Sequence, residues 1–144
     1  MTNSTKICID ANIVVRFLVP DSSPGILNLW AEWKRLQTPL YAPPLLQYEV
    51  SNALYQMTRH NLIDTVVAGQ AIQAMLSLPI EFINHHEAHV RSVELASKFG
   101  IRASYDAHYL ALSQHLGCEL WTTDKRFFNA VHAHCDWVHL ADET

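Results

Sequence analysis

Tyr105-Asp106-Ala107-His108-Tyr109-Leu110-Ala111-Leu112-Ser113, followed shortly by Thr122-Thr123-Asp124, decides how the rest of the chain is read. Asp106 stands in the first turn of a helix for which Ser104 is the expected cap. Leu116-Gly117 ends that helix, and Glu119-Leu120-Trp121 is a short apolar strand that leads to Asp124. Acids placed at such junctions gather at one edge of a sheet, where they can hold a divalent cation.

The same pattern recurs from the N-terminus onward. Lys6-Ile7-Cys8-Ile9 is an apolar run closed by Asp10, as in a buried central strand. Ile13, Val14, Phe17 and Leu18 then recur at helical spacing, with Pro20 as the stop. Ser23-Pro24 predicts an N-cap and a first helical position, and Ile26, Leu27, Trp30 and Trp33 form the stripe of the helix that follows. Pro39 to Ala42 is a strand. Pro43-Pro44 opens a helix with Leu46, Val50, Ala53, Leu54 and Met57 on one face and Glu49 on its flank. Asp64 caps a helix over 66–76, and Ile80 to Ile83 alternates as a strand. Residues 86–99 form a helix turned inward through Val90, Val93, Leu95 and Ala96 and closed by Gly100. A helix over 125–131 and a strand from Trp137 to Leu140 complete the chain. Strands separated by helices predict parallel pairing in an α/β fold, a three-layer α/β/α sandwich forming a single domain over residues 1–144.

Composition narrows the function classes. With 144 residues, 49% hydrophobic and 17% charged, the chain can bury a sizeable core and is not disordered. A net charge of -4 argues against nucleic-acid binding by bulk electrostatics, so such a partner would have to meet a local patch. Three separated cysteines, Cys8, Cys118 and Cys135, are expected as buried free thiols in a reducing compartment. Met1 to Lys6 is polar, and Asp10, Asn12 and Arg16 interrupt the apolar stretch after it. Neither a signal peptide nor a membrane span is expected, and a soluble cytoplasmic protein is. Gly-x-Gly-x-x-Gly and phosphate-loop motifs are missing, which argues against dinucleotide and nucleotide binding of those kinds.

Four acids remain to be explained together. In a parallel sheet, sites form at the carboxyl ends of the strands where strand order reverses. Asp10 and Asp124 follow two strands directly, while Glu49 and Asp106 lie in early turns of helices that start near strand ends. Four such carboxylates repel one another unless a cation or protons neutralise them. Hard oxygen ligands select Mg²⁺ or Mn²⁺, and two such ions about 4 Å apart suit phosphodiester hydrolysis. Asn12 and the hydroxyl of Thr122 or Thr123 could orient metal-bound waters. Arg16, Arg102, Lys125 and Arg126, among only ten basic residues, are candidate phosphate contacts.

Ile9-Asp10-Ala11-Asn12, Tyr48-Glu49-Val50-Ser51-Asn52-Ala53-Leu54, the stretch from Tyr105 to Leu112, and Trp121-Thr122-Thr123-Asp124-Lys125-Arg126-Phe127 together resemble the PIN-domain family. Within it, they are similar to the VapC-type ribonuclease toxins of prokaryotic toxin–antitoxin pairs. The resemblance implies a five-stranded parallel sheet, Mg²⁺- or Mn²⁺-dependent cleavage of single-stranded RNA, and homodimers. It also implies an antitoxin whose C-terminal segment fills a groove by the site. Carried over residue by residue, the metal-site acids are Asp10, Glu49, Asp106 and Asp124, supported by Asn12 and Thr122. A dimer interface is expected on exposed apolar residues of the helices over 64–78 and 105–116.

Two alternatives belong to other classes: a non-catalytic PIN scaffold that binds RNA or protein, and a free-standing RNA-processing nuclease without an antitoxin. Nine histidines also invite a zinc reading, in which His85 and His89 sit four apart on one helix, but a solvated helix start is the simpler account. An aspartyl-phosphate phosphatase would need a second aspartate two positions after Asp10, where Asn12 stands.

Overall fold

In the computed structural model, which describes residues 5–19 and 22–141, β1 (Ile7–Ile9) leads into α1 (Ala11–Leu18) and α2 (Pro24–Arg35). Then come β2 (Leu40–Ala42), α3 (Leu45–Arg59), α4 (Thr65–Leu76) and β3 (Ile80–Phe82). Helices α5 (Glu87–Phe99) and α6 (Ser104–Leu116) follow, then β4 (Glu119–Thr122), α7 (Lys125–Val131) and β5 (Val138–Leu140). The expected stop at Pro20 lies outside the described residues.

All five strands pair in parallel, in the order β3-β2-β1-β4-β5. From β1 the chain steps outward twice, to β2 and β3, then crosses back to β4 on the other side of β1. Right-handed crossovers therefore place α1 to α4 on one face and α5 to α7 on the other. The packing agrees, since α1 touches α2, α3 and α4, while α5 lies along α6. This is the three-layer sandwich expected from the alternation of elements. Strand order reverses between β1 and β4, where Ile9 pairs with Trp121.

Local chemistry explains most element ends. Ser23 caps α2 ahead of Pro24, and Asp64 caps α4. Gly100 and Gly117 end α5 and α6 in the left-handed region, at φ of 65° and 63°. An aromatic row runs from Phe17 through Trp30 and Trp33 to Trp121, with centroids 4.5, 5.3 and 6.0 Å apart, and ties α1 and α2 to the sheet. Cys8, Cys118 and Cys135 are buried and free, with the sulfur of Cys8 in β1 3.5 Å from that of Cys118 just before β4.

Several expectations need correction. Ser104 is the first residue of α6 rather than its cap; Ala103 holds the cap position without a side-chain bond. Val90 and Val93 are exposed, and α5 instead buries Ala88, Ser92 and Leu95. Leu27 is also exposed on α2. Helix α6 is no open apolar face for a dimer partner: Ala107 and Tyr109 to Ser113 are buried, and Tyr105 is its one exposed large apolar side chain. A helix apolar almost all round is a central helix.

Candidate active site

Asp10 ends β1 at the point where strand order reverses and is buried, at 5% exposure. One of its carboxylate oxygens accepts from Ile13 N–H at 3.2 Å, so it caps α1. The other accepts the hydroxyl of Thr122, the last residue of β4. Thr122 also accepts the backbone N–H of Asp124 at 3.0 Å through the same oxygen, which makes it the hinge between the two acid-bearing strand ends. This assigns the polar contact to Thr122. Asp124 in turn caps α7, accepting from Phe127 N–H at 3.0 Å.

The other two acids come from helices. Glu49 and Asp106 join Asp10 in lining a cleft of about 230 Å³, together with Ala11, Asn12, Asn52, Ala53 and Tyr109. Asp124 stands outside that lining, but its charge acts on Asp106. Tyr109, one helical turn beyond Asp106, donates its phenol to Glu49 at 2.5 Å and so bridges α6 to α3. Sequence reasoning missed Tyr109 and Asn52. The available signal was helical spacing, since each stands three residues after an acid, on the same face.

The basic candidates do not reach the cleft. Arg16, Arg102, Lys125 and Arg126 are all exposed, and none lines it. Lys125 and Arg126 open α7 directly after Asp124, while Arg102 precedes α6. Among the described residues, no ion pair joins any of the four acids to a lysine or arginine.

The electrostatics follow from this isolation. Burial pushes the Asp10 carboxyl up to about 7, against donors from Thr122 and Ile13 that favour its charged form. Asp106 is pushed up to about 6 by burial, then by the charges of Asp124 and Glu49. Burial also raises Glu49, partly countered by the Tyr109 bond and by His108. Tyr109 itself is raised by burial and by the Glu49 charge, so it remains a donor. Carboxylates that disfavour their own charge, with no lysine or arginine paired to them among the described residues, suit a cation.

Among the described residues, no three His, Cys, Asp or Glu side chains are gathered into a ready metal cluster. Two of the acids spend oxygens on helix caps. Mg²⁺ keeps several waters and takes only one or two carboxylates directly, so it does not require three acids gathered in advance. The zinc reading fails on geometry. His85 precedes α5 and stacks on His115 at 3.6 Å, while His89 bonds His108 on α6.

The model of one family, the PIN domain, matches residues 8–137. The chain belongs to the PIN domain family. No curated protein sequence matches it. This PIN domain is similar in fold to VapBC2 from Rickettsia felis bound to a DNA fragment from its promoter, with a TM-score of 0.70 and 12% identity over 94% of this chain and 98% of that one. It is similar to a toxin–antitoxin complex from Klebsiella pneumoniae, with a TM-score of 0.67 and 18% identity over 96% and 100% of the two chains. The Mycobacterium tuberculosis toxin VapC20, which cleaves the sarcin–ricin loop, gives a TM-score of 0.64 and 17% identity over 88% and 95%. Among the described residues of the PIN domain, no helix is long and apolar enough to cross a membrane.

Proposed function

We propose that this PIN domain is a Mg²⁺- or Mn²⁺-dependent endoribonuclease that cuts single-stranded RNA as the toxin of a toxin–antitoxin pair. The observation that carries the reading is the cleft where Asp10, Glu49 and Asp106 meet with no lysine or arginine in its lining, next to Asp124. Proteins of like fold support it: VapC20 is a sarcin–ricin loop cleaving toxin, another is a toxin–antitoxin complex, and VapBC2 is bound to a DNA fragment from its promoter. An antitoxin partner and a homodimer are part of the same proposal.

Asp10, Glu49, Asp106 and Asp124 would hold the metal, with Asn12 and Thr122 orienting its waters. When bound, the cation supplies an acidified water and stabilises charge on the phosphate oxygens. Thr122 and Ile13 N–H favour the charged form of Asp10 against its burial and aim it, and Tyr109 does the same for Glu49. In the reaction the water oxygen forms a bond to phosphorus and the bond to the leaving ribose oxygen breaks. The proton released by the water passes to a cleft carboxylate, and the leaving oxygen takes up a proton. Arg102, Lys125 and Arg126 are the exposed cations nearest in sequence to Asp106 and Asp124, available to the flanking phosphates.

The test uses the chain purified away from any partner. Single-stranded RNA is expected to be cut with Mg²⁺ or Mn²⁺, to stay intact with a chelator, and to stay intact with Asp106→Asn. A wild type that binds the metal by calorimetry yet leaves diverse RNAs whole would favour the non-catalytic binding module. Expression without growth arrest, and no small DNA-binding protein encoded next to it, would favour a free-standing processing nuclease.

A further inference from the structure

A second cleft, of about 350 Å³, opens beside the acids on the same edge of the sheet. Its walls include the turns that leave β2, at Pro43-Pro44, and β3, at Ile83-Asn84. Two helices serve both clefts. On α6, Asp106 and Tyr109 line the acid cleft while Tyr105, His108 and Leu112 line this one. On α3, Glu49 lines the first and Leu45, one turn earlier, the second. A chain crossing the acids can therefore place its neighbouring unit here.

The lining selects the chemistry of that unit. Among the described residues, no Lys, Arg, Asp or Glu lines this cleft, so it offers no permanently charged side chain to a phosphate. It offers rings instead: Tyr105, 57% exposed, with His85, His89 and His108, above an apolar floor at Leu45 and Leu112. Flat, uncharged bases stack on such side chains whatever their sequence.

The histidines also carry a defined polarity. His108 Nδ1 lies 2.8 Å from the Ser104 carbonyl, which only accepts, so Nδ1 carries the proton. In the neutral ring, His108 Nε2 is then an acceptor, and His89 Nδ1 must donate to it across 3.2 Å. Ser92 gives its hydroxyl proton to the His89 carbonyl at 2.8 Å, so it does not displace that donor. Neutral His89 is left with Nε2 as an acceptor on an exposed ring at the cleft wall, near the exposed amide of Asn84.

We propose that this cleft binds the nucleobase of the RNA nucleotide beside the scissile phosphate, stacked on Tyr105 and met at an N–H edge by His89 Nε2 and Asn84. The proposal rests on the nuclease reading for its register. It is tested with single-stranded RNAs in which one abasic nucleotide is moved along the sequence, cut by wild type, Tyr105→Ala and Tyr105→Phe. Loss of one stacked base is expected to lower wild-type kcat/KM by about 5- to 150-fold at a single position flanking the cut. Tyr105→Ala should lose a similar factor on intact RNA and no more on that abasic substrate, and Tyr105→Phe should restore the discrimination. If Tyr105→Ala slows every substrate equally and the abasic penalty persists, the base site is overturned while the nuclease stands. If the wild type cuts none of them, the nuclease reading falls, and the same comparison is read by fluorescence anisotropy of the labelled RNAs. Coupling between Tyr105 and one abasic position then supports the base site, and no coupling overturns it.

Discussion

The contact that most constrains the site at the scale of single residues is Tyr109 to Glu49, 60 positions apart in the chain. A half-buried carboxylate that accepts a phenol is held in one rotamer and partly relieved of its desolvation. Tyr109→Phe keeps the buried ring and removes only the donor. Folding stability is expected to fall by about 1–3 kcal/mol at neutral pH, measured by urea denaturation. The Glu49 carboxyl should also titrate higher than in the wild type by carbon-13 NMR, because the lost bond favours its charged form. An unchanged titration would mean that the phenol does not govern Glu49. For Asp106 the stakes are catalytic. Replacing it with Asn keeps the shape and removes the charge, and the metal-assisted route is worth several kcal/mol. Cleavage should drop on the order of 10²- to 10³-fold or more, with the circular dichroism spectrum unchanged.

Among the secondary-structure elements, α7 shows how structural and chemical duties share one side chain. Asp124 caps this helix and also stands beside Asp106. The two duties separate by substitution. Asp124→Ser can still accept from Phe127 N–H, so its melting temperature should stay near wild type while RNA cleavage is lost. Asp124→Ala should lose both, with about 1 kcal/mol of stability gone with the cap. Equal activity in the serine variant and the wild type would leave Asp124 a cap and nothing more. The same duality limits what is legible in the chain. Asp10 and Asp124 could be placed because each follows an apolar run too short to be anything but a strand. Asp10 nevertheless proved to be a helix cap as well, a duty its position after an apolar strand had hidden. Glu49 needed the motif around it, since nothing in one helix reports which neighbour lies across from its flank. Tyr109 was passed over for the converse reason: among Leu110, Ala111 and Leu112 it reads as core, and its partner lies on a distant helix. The dimer face expected on α6 failed because apolar residues all round a helix mean burial on two sides, by the sheet and by α5. Val90 and Val93 misled in the opposite direction, as apolar residues on the solvent side of a helix whose buried face includes Ser92.

For the molecule as a whole, the acid cluster makes stability depend jointly on pH and metal. Asp10 has an ordinary value near 3.8 when unfolded and about 7 when folded; Asp106 goes from the same value to about 6. Between these limits the folded chain holds protons that the unfolded chain has released. Stability from this site is therefore highest near pH 4, falls as pH rises toward 7, and is level above that. Added Mg²⁺ competes with those protons, so its effect should have the opposite slope. At pH 8 and a concentration of about 100 times its dissociation constant, binding to the folded state alone adds about 2.7 kcal/mol, or roughly 5–10 °C in Tm. At pH 5, where Asp10 and Asp106 are largely protonated, the same Mg²⁺ should raise Tm far less. Thermal scans at both pH values, with and without the ion, measure this directly. An Asp10→Asn, Asp106→Asn double variant supplies the control: it should flatten the pH slope without metal and remove the response to Mg²⁺ at pH 8. Should the wild type show the same Tm shift at both pH values, the ion is binding somewhere other than the edge where β1 and β4 deliver their acids.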